Sequence, residues 1–420
     1  MLDIKFIRAH AEIVKNAAIT KKIKVDIDKL IKLDDDRLLL LKKIEELRTK
    51  QNAVSDLITS ASDTERAEHI AAMKDLKEVL RSQEEQYNTI LIAWKELMLK
   101  VPNVPDMSVP EGNSDEENVP IRHWGEAKKF EFEPQNHIDL MIKHNMVDFE
   151  RGTKVHGFRG YFMKNRGALL TFAIWNYAKD FYLKNGFPEF MITPTIVNKE
   201  NFFGTGHLPN DAEDLFETQD GQNLIGTAEV STMGYFSDEV LDESEFPRKI
   251  LAFSPCYRRE AGSHGKDTKG LIRVHEFYKF EQIILCEASH TKSVEYHEWI
   301  QRNVEQFIES LGIPYRTVIN CGGDLGQGQV KKYDTELWVP GEEKYREISS
   351  ASYFHDFQTR RFNVRYKDSE GKMRFAHSLN CTAIPTPRIL VSLIENFQQA
   401  DGSIKIPDAL IPYCGFDTIV

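Results

Sequence analysis

Two long apolar seams near the N-terminus constrain the fold of this chain more than any other feature. At positions 30, 33, 37, 40, 44, 47, 51, 54 and 58 stand Leu, Leu, Arg, Leu, Ile, Leu, Gln, Val and Ile, so only Arg37 and Gln51 are polar. At 73, 76, 80, 83, 87, 90, 94, 97 and 101 stand Met, Leu, Leu, Gln, Tyr, Ile, Trp, Leu and Val, with Gln83 alone polar. Alternating steps of three and four keep such residues on one helical stripe and call for a partner helix. The polar stretch Ser60 to Thr64 separates the two seams. The pattern therefore predicts an antiparallel coiled-coil hairpin whose helices, at 1.5 Å per residue, reach roughly 50–60 Å. Such a hairpin serves as an assembly element or spacer, or as an arm that touches RNA. Lys42, Lys43, Arg48 and Lys50 would seek phosphate, but Glu45, Glu46, Glu84 and Glu85 dilute them, so charge alone does not decide.

With 420 residues, the chain has room beyond the hairpin for at least one further domain and a sizeable core. Its net charge is −11, so any nucleic-acid contact must come from local patches. The apolar stretch Ala168 to Ala178, bounded by Arg166 and Lys179, is far shorter than the roughly 20 residues that span a bilayer. The N-terminus carries Asp3 early and has no apolar leader pattern. Five scattered cysteines without a C-x-x-C pair suit reduced thiols in the cytoplasm, and no zinc site is expected.

Pro102, Pro105, Pro110 and Pro120, with the acidic run Asp115 to Glu117, end the second helix and read as a linker over 106–120. The expected organisation is a helical arm at 1–105, that linker, and a second domain at 121–420. Ala168 to Lys184 reads as a helix closing at Asn185-Gly186, followed by a strand toward Val197. Ile250–Tyr257 and His275–Leu285 read as two strands around a basic, glycine-bearing turn. Glu295–Leu311 reads as an amphipathic helix. Tyr333–Pro340 and Tyr345–Phe354 return to strand, and Ile389–Phe397 is an apolar helix headed by Arg388.

The stretch Cys256 to Glu281 concentrates the chemistry. Arg258 and Arg273 can take phosphate oxygens bidentately, Phe277 offers a purine a face to stack on, and Glu281 can accept from an amine. A P-loop reading of GSHGK fails for want of the required glycine spacing. Glu347 and Ser350 are hard oxygen donors of the kind that hold Mg²⁺ beside substrate phosphates. Arg388, at a helix N-terminus, suits an anion.

The order of residues in this stretch resembles motif 2 of the class II aminoacyl-tRNA synthetases, in the form used by the seryl-tRNA synthetases. That pattern is R-x-E-A-G-x-x-G-x-D-T-x-G-L-x-R-x-H-Q-F. Here Arg258, Glu260, Ala261, Gly262, Gly265, Asp267, Thr268, Gly270, Leu271, Arg273, His275 and Phe277 match it, with Glu276 in place of Gln. Motif 1 (about 170–197), the GTGHLP loop, the Thr227-Ala228-Glu229 loop and motif 3 (about 379–398) follow the family's order. Motif 3 departs from N-G-S-G-L-A-V-G-R: Asn380, a hydroxyl at Thr382 and Arg388 remain, while Cys381, Pro385 and Pro387 enter.

The resemblance implies an α+β protein with an N-terminal antiparallel coiled-coil hairpin on a class II catalytic domain, a mostly antiparallel sheet flanked by helices. It implies a homodimer that activates L-serine with ATP and Mg²⁺. Serine is then transferred to tRNA(Ser), held by its long variable arm and acceptor end; tRNA(Sec) is a second candidate acceptor. By matching positions, Arg258 holds the α-phosphate and serine's carboxylate, and Arg273 and Arg388 hold the γ-phosphate. Glu347 and Ser350 hold the metal, Phe277 and Arg388 sandwich adenine, and Val274 and Glu260 line the ATP side. Glu281, with the Thr227 loop and Glu229, takes serine's ammonium, and Thr382 with Asn380 takes its hydroxyl. Two alternatives stay open: a seryl-adenylate-forming relative that loads a carrier protein, and a non-catalytic coiled-coil assembly protein.

Overall fold

The computed structural model describes residues 1–263 and 265–420, so His264 of the basic turn lies outside the described residues. The chain divides into two compact units, Met1–Pro102 and Asn103–Val420.

In the first unit, helices α1 (Ile4–Ala9) and α2 (Ala11–Thr20) precede α3 (Ile27–Ser60) and α4 (Asp63–Lys100). The last two form the expected hairpin, 34 and 38 residues long. Asp26 caps α3 by accepting from the Lys29 N–H at 2.8 Å, and Glu65 reaches back to the Ser62 N–H at the start of α4. Every one of the eighteen seam positions is buried or half-buried. The polar exception Arg37 is accommodated: its guanidinium lies 4.9 Å over the Trp94 ring and pairs with the buried Asp34 at 2.8 Å. Ile7, Val14, Ile27, Leu30, Met98 and Val101 close a small core at the base of the hairpin. Toward the tip, Arg48 pairs with Glu84 at 2.7 Å and marks the register of the helices.

In the second unit, Asn103, at the end of the expected arm, and Asp106, the first residue of the expected linker, are strapped down. Asn103 donates through its amide to the carbonyls of Gly328 and Phe354, the Asp106 N–H bonds to Val330 O, and the Tyr353 hydroxyl donates to Asp106. The prolines interrupt helix but leave these polar side chains free to bond the neighbouring backbone. The largest sheet among the described residues has eight strands: β1 (Val119–Trp124), β2 (Glu189–Ile192), β3 (Arg248–Tyr257), β4 (Glu276–Cys286), β5 (Tyr315–Ile319), β6 (Lys331–Val339), β7 (Lys344–His355) and β8 (His377–Thr386). Their spatial order is β1-β5-β6-β7-β8-β4-β3-β2, antiparallel throughout except for β2 beside β3.

The helices Asn165–Lys184 and His290–Ser310 pack on this sheet around Tyr182 and Phe307, whose rings stack at 5.6 Å. The Tyr182 hydroxyl donates to Ala383 O, fixing the motif 3 strand from behind. Asn185 ends the first helix and Gly186 follows at φ +99°, a conformation that favours glycine.

Candidate active site

Strand β4 supplies the spine of the site. Side chains on a strand alternate between faces, so Phe277, Lys279 and Glu281 share one. Beside them on β3 stand Cys256, Ser254 and Ala252, in register with those three residues. On the other side Thr382 of β8 faces Glu281, while Ala383 is the extra residue of a bulge before Ile384 pairs with Phe280. The bulge lets Pro385 and Pro387 line the cavity and places Arg388 at the first turn of the helix Arg388–Phe397.

The cavity is lined by eight of the residues singled out from sequence: Arg258, Glu260, Arg273, Val274, Phe277, Glu347, Thr382 and Arg388. Three guanidinium groups thus converge on one space. Each is held differently. Arg258 lies 5.3 Å over the Phe277 ring and reaches the Gly226 carbonyl at 3.3 Å. Arg273 pairs with Glu260 at 2.5 Å, and Asp267 stands 3.6 Å away. Arg388 donates to the carbonyls of Ile272 (2.8 Å) and Glu347 (3.0 Å). Burial and the neighbouring cations Arg258 and Arg273 lower the pKa of Arg388, with Glu347 opposing them. Burial works to raise the Glu260 carboxyl, but Arg273, with Arg258 and the Ser263 hydroxyl, together outweigh it and hold Glu260 below the usual range.

The remaining predicted residues lie deeper or to the side. Thr227, Glu229, Glu281 and Asn380 are buried and do not line this cavity. Thr227 caps the helix Ala228–Tyr235, accepting from the Glu229 N–H. Glu229 accepts from the Gln358 amide at 2.5 Å, and Gln358 in turn accepts from Ser378 at 2.7 Å. Burial, with the nearby Glu281 charge, pushes the Glu229 carboxyl up to about 7 against the amides of Gln358 and Asn380 and the Lys279 charge. Ser350 faces Asp334 on β6, and Glu347 faces Glu336. Asp334 Oδ1 is buried with no hydrogen-bond partner. This row of hard oxygens beside an exposed Glu347 suits a divalent cation whose other ligands come from phosphate and water. Among the described residues no group of three or more His, Cys, Asp or Glu side chains could hold a metal by itself. The Glu276 that stands in the usual Gln position accepts from the Tyr278 hydroxyl at 3.1 Å, away from the cavity.

Three supporting residues went unrecognised in sequence. Lys279, buried among Thr227, Glu281 and Thr382, was signalled by its alternation with Phe277 and Glu281. Arg159 binds the motif 2 turn through the carbonyls of Arg273, Ser263 and Lys266. Asp214 accepts from the Ala261 N–H at 2.8 Å, bracing the other end of that turn. Neither of the last two carries a local signal, because each acts on residues at least 45 positions away.

Comparison with known proteins agrees with this geometry. Residues 1–105 match the family model for the seryl-tRNA synthetase N-terminal domain, and 215–397 that for the tRNA synthetase class II core domain (G, H, P, S and T). The chain is 42% identical to the serine–tRNA ligase of Deinococcus radiodurans, across 99% of this chain and 98% of that protein. It is also 42% identical to that of Thermodesulfovibrio yellowstonii over the full length of both. Its structure resembles the crystal structure of seryl-tRNA synthetase from Pyrococcus horikoshii complexed with ATP, with a TM-score of 0.91 and 36% identity across 100% of this chain and 99% of that one. The arm, the order of the motifs and these likenesses together place the chain in the seryl-tRNA synthetases, class II aminoacyl-tRNA synthetases.

Proposed function

We propose that the cavity between β4, β8 and the basic turn joins serine to ATP and then to tRNA, as a serine–tRNA ligase does, each lining residue taking a distinct part. The observation that carries this reading is the single face of β4. It runs from Phe277, where an adenine can stack against Arg388, through Lys279 to the buried Glu281, whose carboxylate pairs with Lys279 and would take an amino acid's ammonium in this reading. Between those ends Arg258, Arg273 and Arg388 converge where a triphosphate would lie. An oxygen of serine's carboxylate attacks the α-phosphorus, the bond to the bridging oxygen breaks, and pyrophosphate leaves. The terminal ribose hydroxyl of tRNA then attacks the activated carbonyl, releasing AMP.

The protein's part in the first step is to align the carboxylate and neutralise charge on the phosphates. Arg258, beside both Phe277 and Gly226, orients the carboxylate against the α-phosphate. Arg273, tied to Glu260, and Arg388, tied to the Glu347 backbone, hold the γ-phosphate end. Val274 lines the nucleotide side. Glu347 and Ser350 would hold Mg²⁺, which supplies further neutralisation of phosphate charge. Glu281 takes the serine ammonium, and Thr382, with Asn380 behind it, takes the hydroxyl.

The hairpin α3–α4 is the tRNA-gripping arm in this reading, with Lys42, Lys43, Arg48 and Lys50 exposed along it. A second copy of the chain would cover the apolar side chains Leu169, Phe172 and Ile192, which are 55%, 59% and 75% exposed. Among the described residues no helix is long and apolar enough to cross a membrane.

ATP–pyrophosphate exchange across a panel of amino acids, followed by charging of total tRNA, tests the reaction. Serine alone is expected to support both. Exchange without tRNA charging would favour a carrier-loading relative. Arg258→Ala is expected to abolish exchange at ordinary ATP concentrations, and near-normal exchange in that variant would remove Arg258 from its assigned role.

A further inference from the structure

Lys279 is a buried cation to which the steps of serine activation assign no task. It is 5% exposed, yet its ammonium meets three acceptors: Glu281 Oε2 at 2.5 Å, Thr227 Oγ1 at 2.8 Å and Thr382 Oγ1 at 3.4 Å. An ammonium has three N–H donors and no acceptor. Both threonine hydroxyls must therefore turn a lone pair toward it.

That requirement settles what each hydroxyl can do next. Thr227 Oγ1 accepts from Lys279 and also from the Glu229 N–H at 3.4 Å. Both of its acceptor positions are used, so it faces a substrate only as a donor. Thr382 Oγ1 accepts from Lys279, and its own hydrogen points to Glu281 Oε2 at 3.3 Å. One lone pair remains, on a residue that lines the cavity. Thr382 thus meets the substrate as an acceptor.

We propose that Lys279 is a positioning residue that sets the hydrogen-bond polarity of the amino-acid pocket. It makes Thr382 an acceptor for a substrate O–H and Thr227 a donor, so that the pocket reads a hydroxyl hydrogen at the β-carbon. The inference rests on the cavity being a serine site, and it sharpens the expectation for the Thr227 loop. The loop's hydroxyl does not take serine's ammonium, which is left to the Glu281 carboxylate. A neutral side chain at 279 frees both hydroxyls to rotate, and the pocket then tolerates either orientation at a loss of fit to serine.

The test uses the full-length protein in ATP–pyrophosphate exchange. Wild-type exchange with serine is the control; its absence would overturn the serine reading and with it this inference, whereas the outcomes below bear on Lys279 alone. With wild type, 3-fluoroalanine, which matches serine in size but has no O–H, is expected to be activated no better than alanine. Activation approaching that of serine would show that the hydrogen is not read and would overturn the proposal. In K279M and K279Q, each checked by thermal unfolding, the serine KM is expected to rise at least about tenfold while the ATP KM stays within about twofold. In K279C, aminoethylation of the thiol restores an ammonium at nearly the same reach, and it is expected to bring the serine KM back. An unchanged serine KM in the folded variants, a parallel rise in both KM values, or no recovery on aminoethylation would reduce Lys279 to a packing role. Should the neutral variants not fold, the fluoroalanine comparison decides alone.

Discussion

Thr382→Val isolates one hydroxyl in a pocket that is otherwise unchanged in shape. In the structure that hydroxyl makes two long contacts, 3.4 Å from Lys279 and 3.3 Å to Glu281. Lys279 keeps its shorter bonds to Glu281 and Thr227 at 2.5 and 2.8 Å. The stability cost should therefore lie near the lower end of the net range for a hydrogen bond, about 0.5–1 kcal/mol. The complex with serine is different. With serine bound as proposed, its hydroxyl would have no acceptor in place of Thr382, and an unsatisfied buried donor costs about 1–3 kcal/mol. At about 1.4 kcal/mol per factor of ten, serine binding should weaken by roughly 5- to 150-fold. An alanine ligand has no hydroxyl to leave unpaired and should bind as before. The measurement is calorimetric titration of two non-hydrolysable adenylate analogues, the sulfamoyl-adenosines of serine and alanine, against wild type and variant. The ratio of the alanine analogue's Kd to the serine analogue's Kd should fall by that same roughly 5- to 150-fold. A ratio unchanged within twofold would refute the assignment of the hydroxyl to Thr382 and, with it, the hydrogen-bond polarity argued for Lys279.

Shortening the arm should separate the two half-reactions. Since Arg48 pairs with Glu84 across the hairpin, replacing residues 49–83 with a short glycine linker keeps the register and the base core of Ile7, Leu30 and Met98. Exchange with serine should be unaffected, and charging of tRNA should fall and lose part of its salt dependence; equal loss of both steps would contradict the division of labour. Glu229→Gln should change how stability depends on pH. The folded carboxyl sits at about 7, raised by burial and the Glu281 charge, against roughly 4.3 for a free glutamate. Between those values the folded state holds the proton more tightly, so this group's contribution to stability falls as pH rises from about 4.3 to about 7. The neutral amide can still accept from Gln358 but cannot ionise. The variant should thus gain on wild type in urea midpoint between pH 5 and pH 8. A difference that stays constant over that interval would show that Glu229 does not titrate there.

What was legible in the sequence, and what was not, follows from how far each feature reaches along the chain. The coiled-coil seam is a local periodicity, and its exception Arg37 is resolved partly locally, by Asp34 three residues before it, and partly by Trp94, 57 positions on in the paired helix. Arg258, Glu260, Arg273 and Phe277 stand within 20 residues of one another, and their order sufficed to suggest a nucleotide site. The linker expected over 106–120 did not reveal that Asp106 bonds Val330 and Tyr353, more than 200 positions away, because prolines announce a break and say nothing of what lies beside it. The bulge at Ala383 is likewise invisible until β8 is paired with β4. Without it the strand would carry Ala383 where Thr382 faces Glu281 or shift the approach of Arg388. Lys279 lies between these cases. Its alternation with Phe277 and Glu281 could have placed it on the site's face, yet nothing local shows that its three donors are spent on Thr227, Glu281 and Thr382. A residue's position on a strand was readable from its neighbours, whereas the direction in which a hydroxyl points was set by a cation 52 and 103 residues away in sequence.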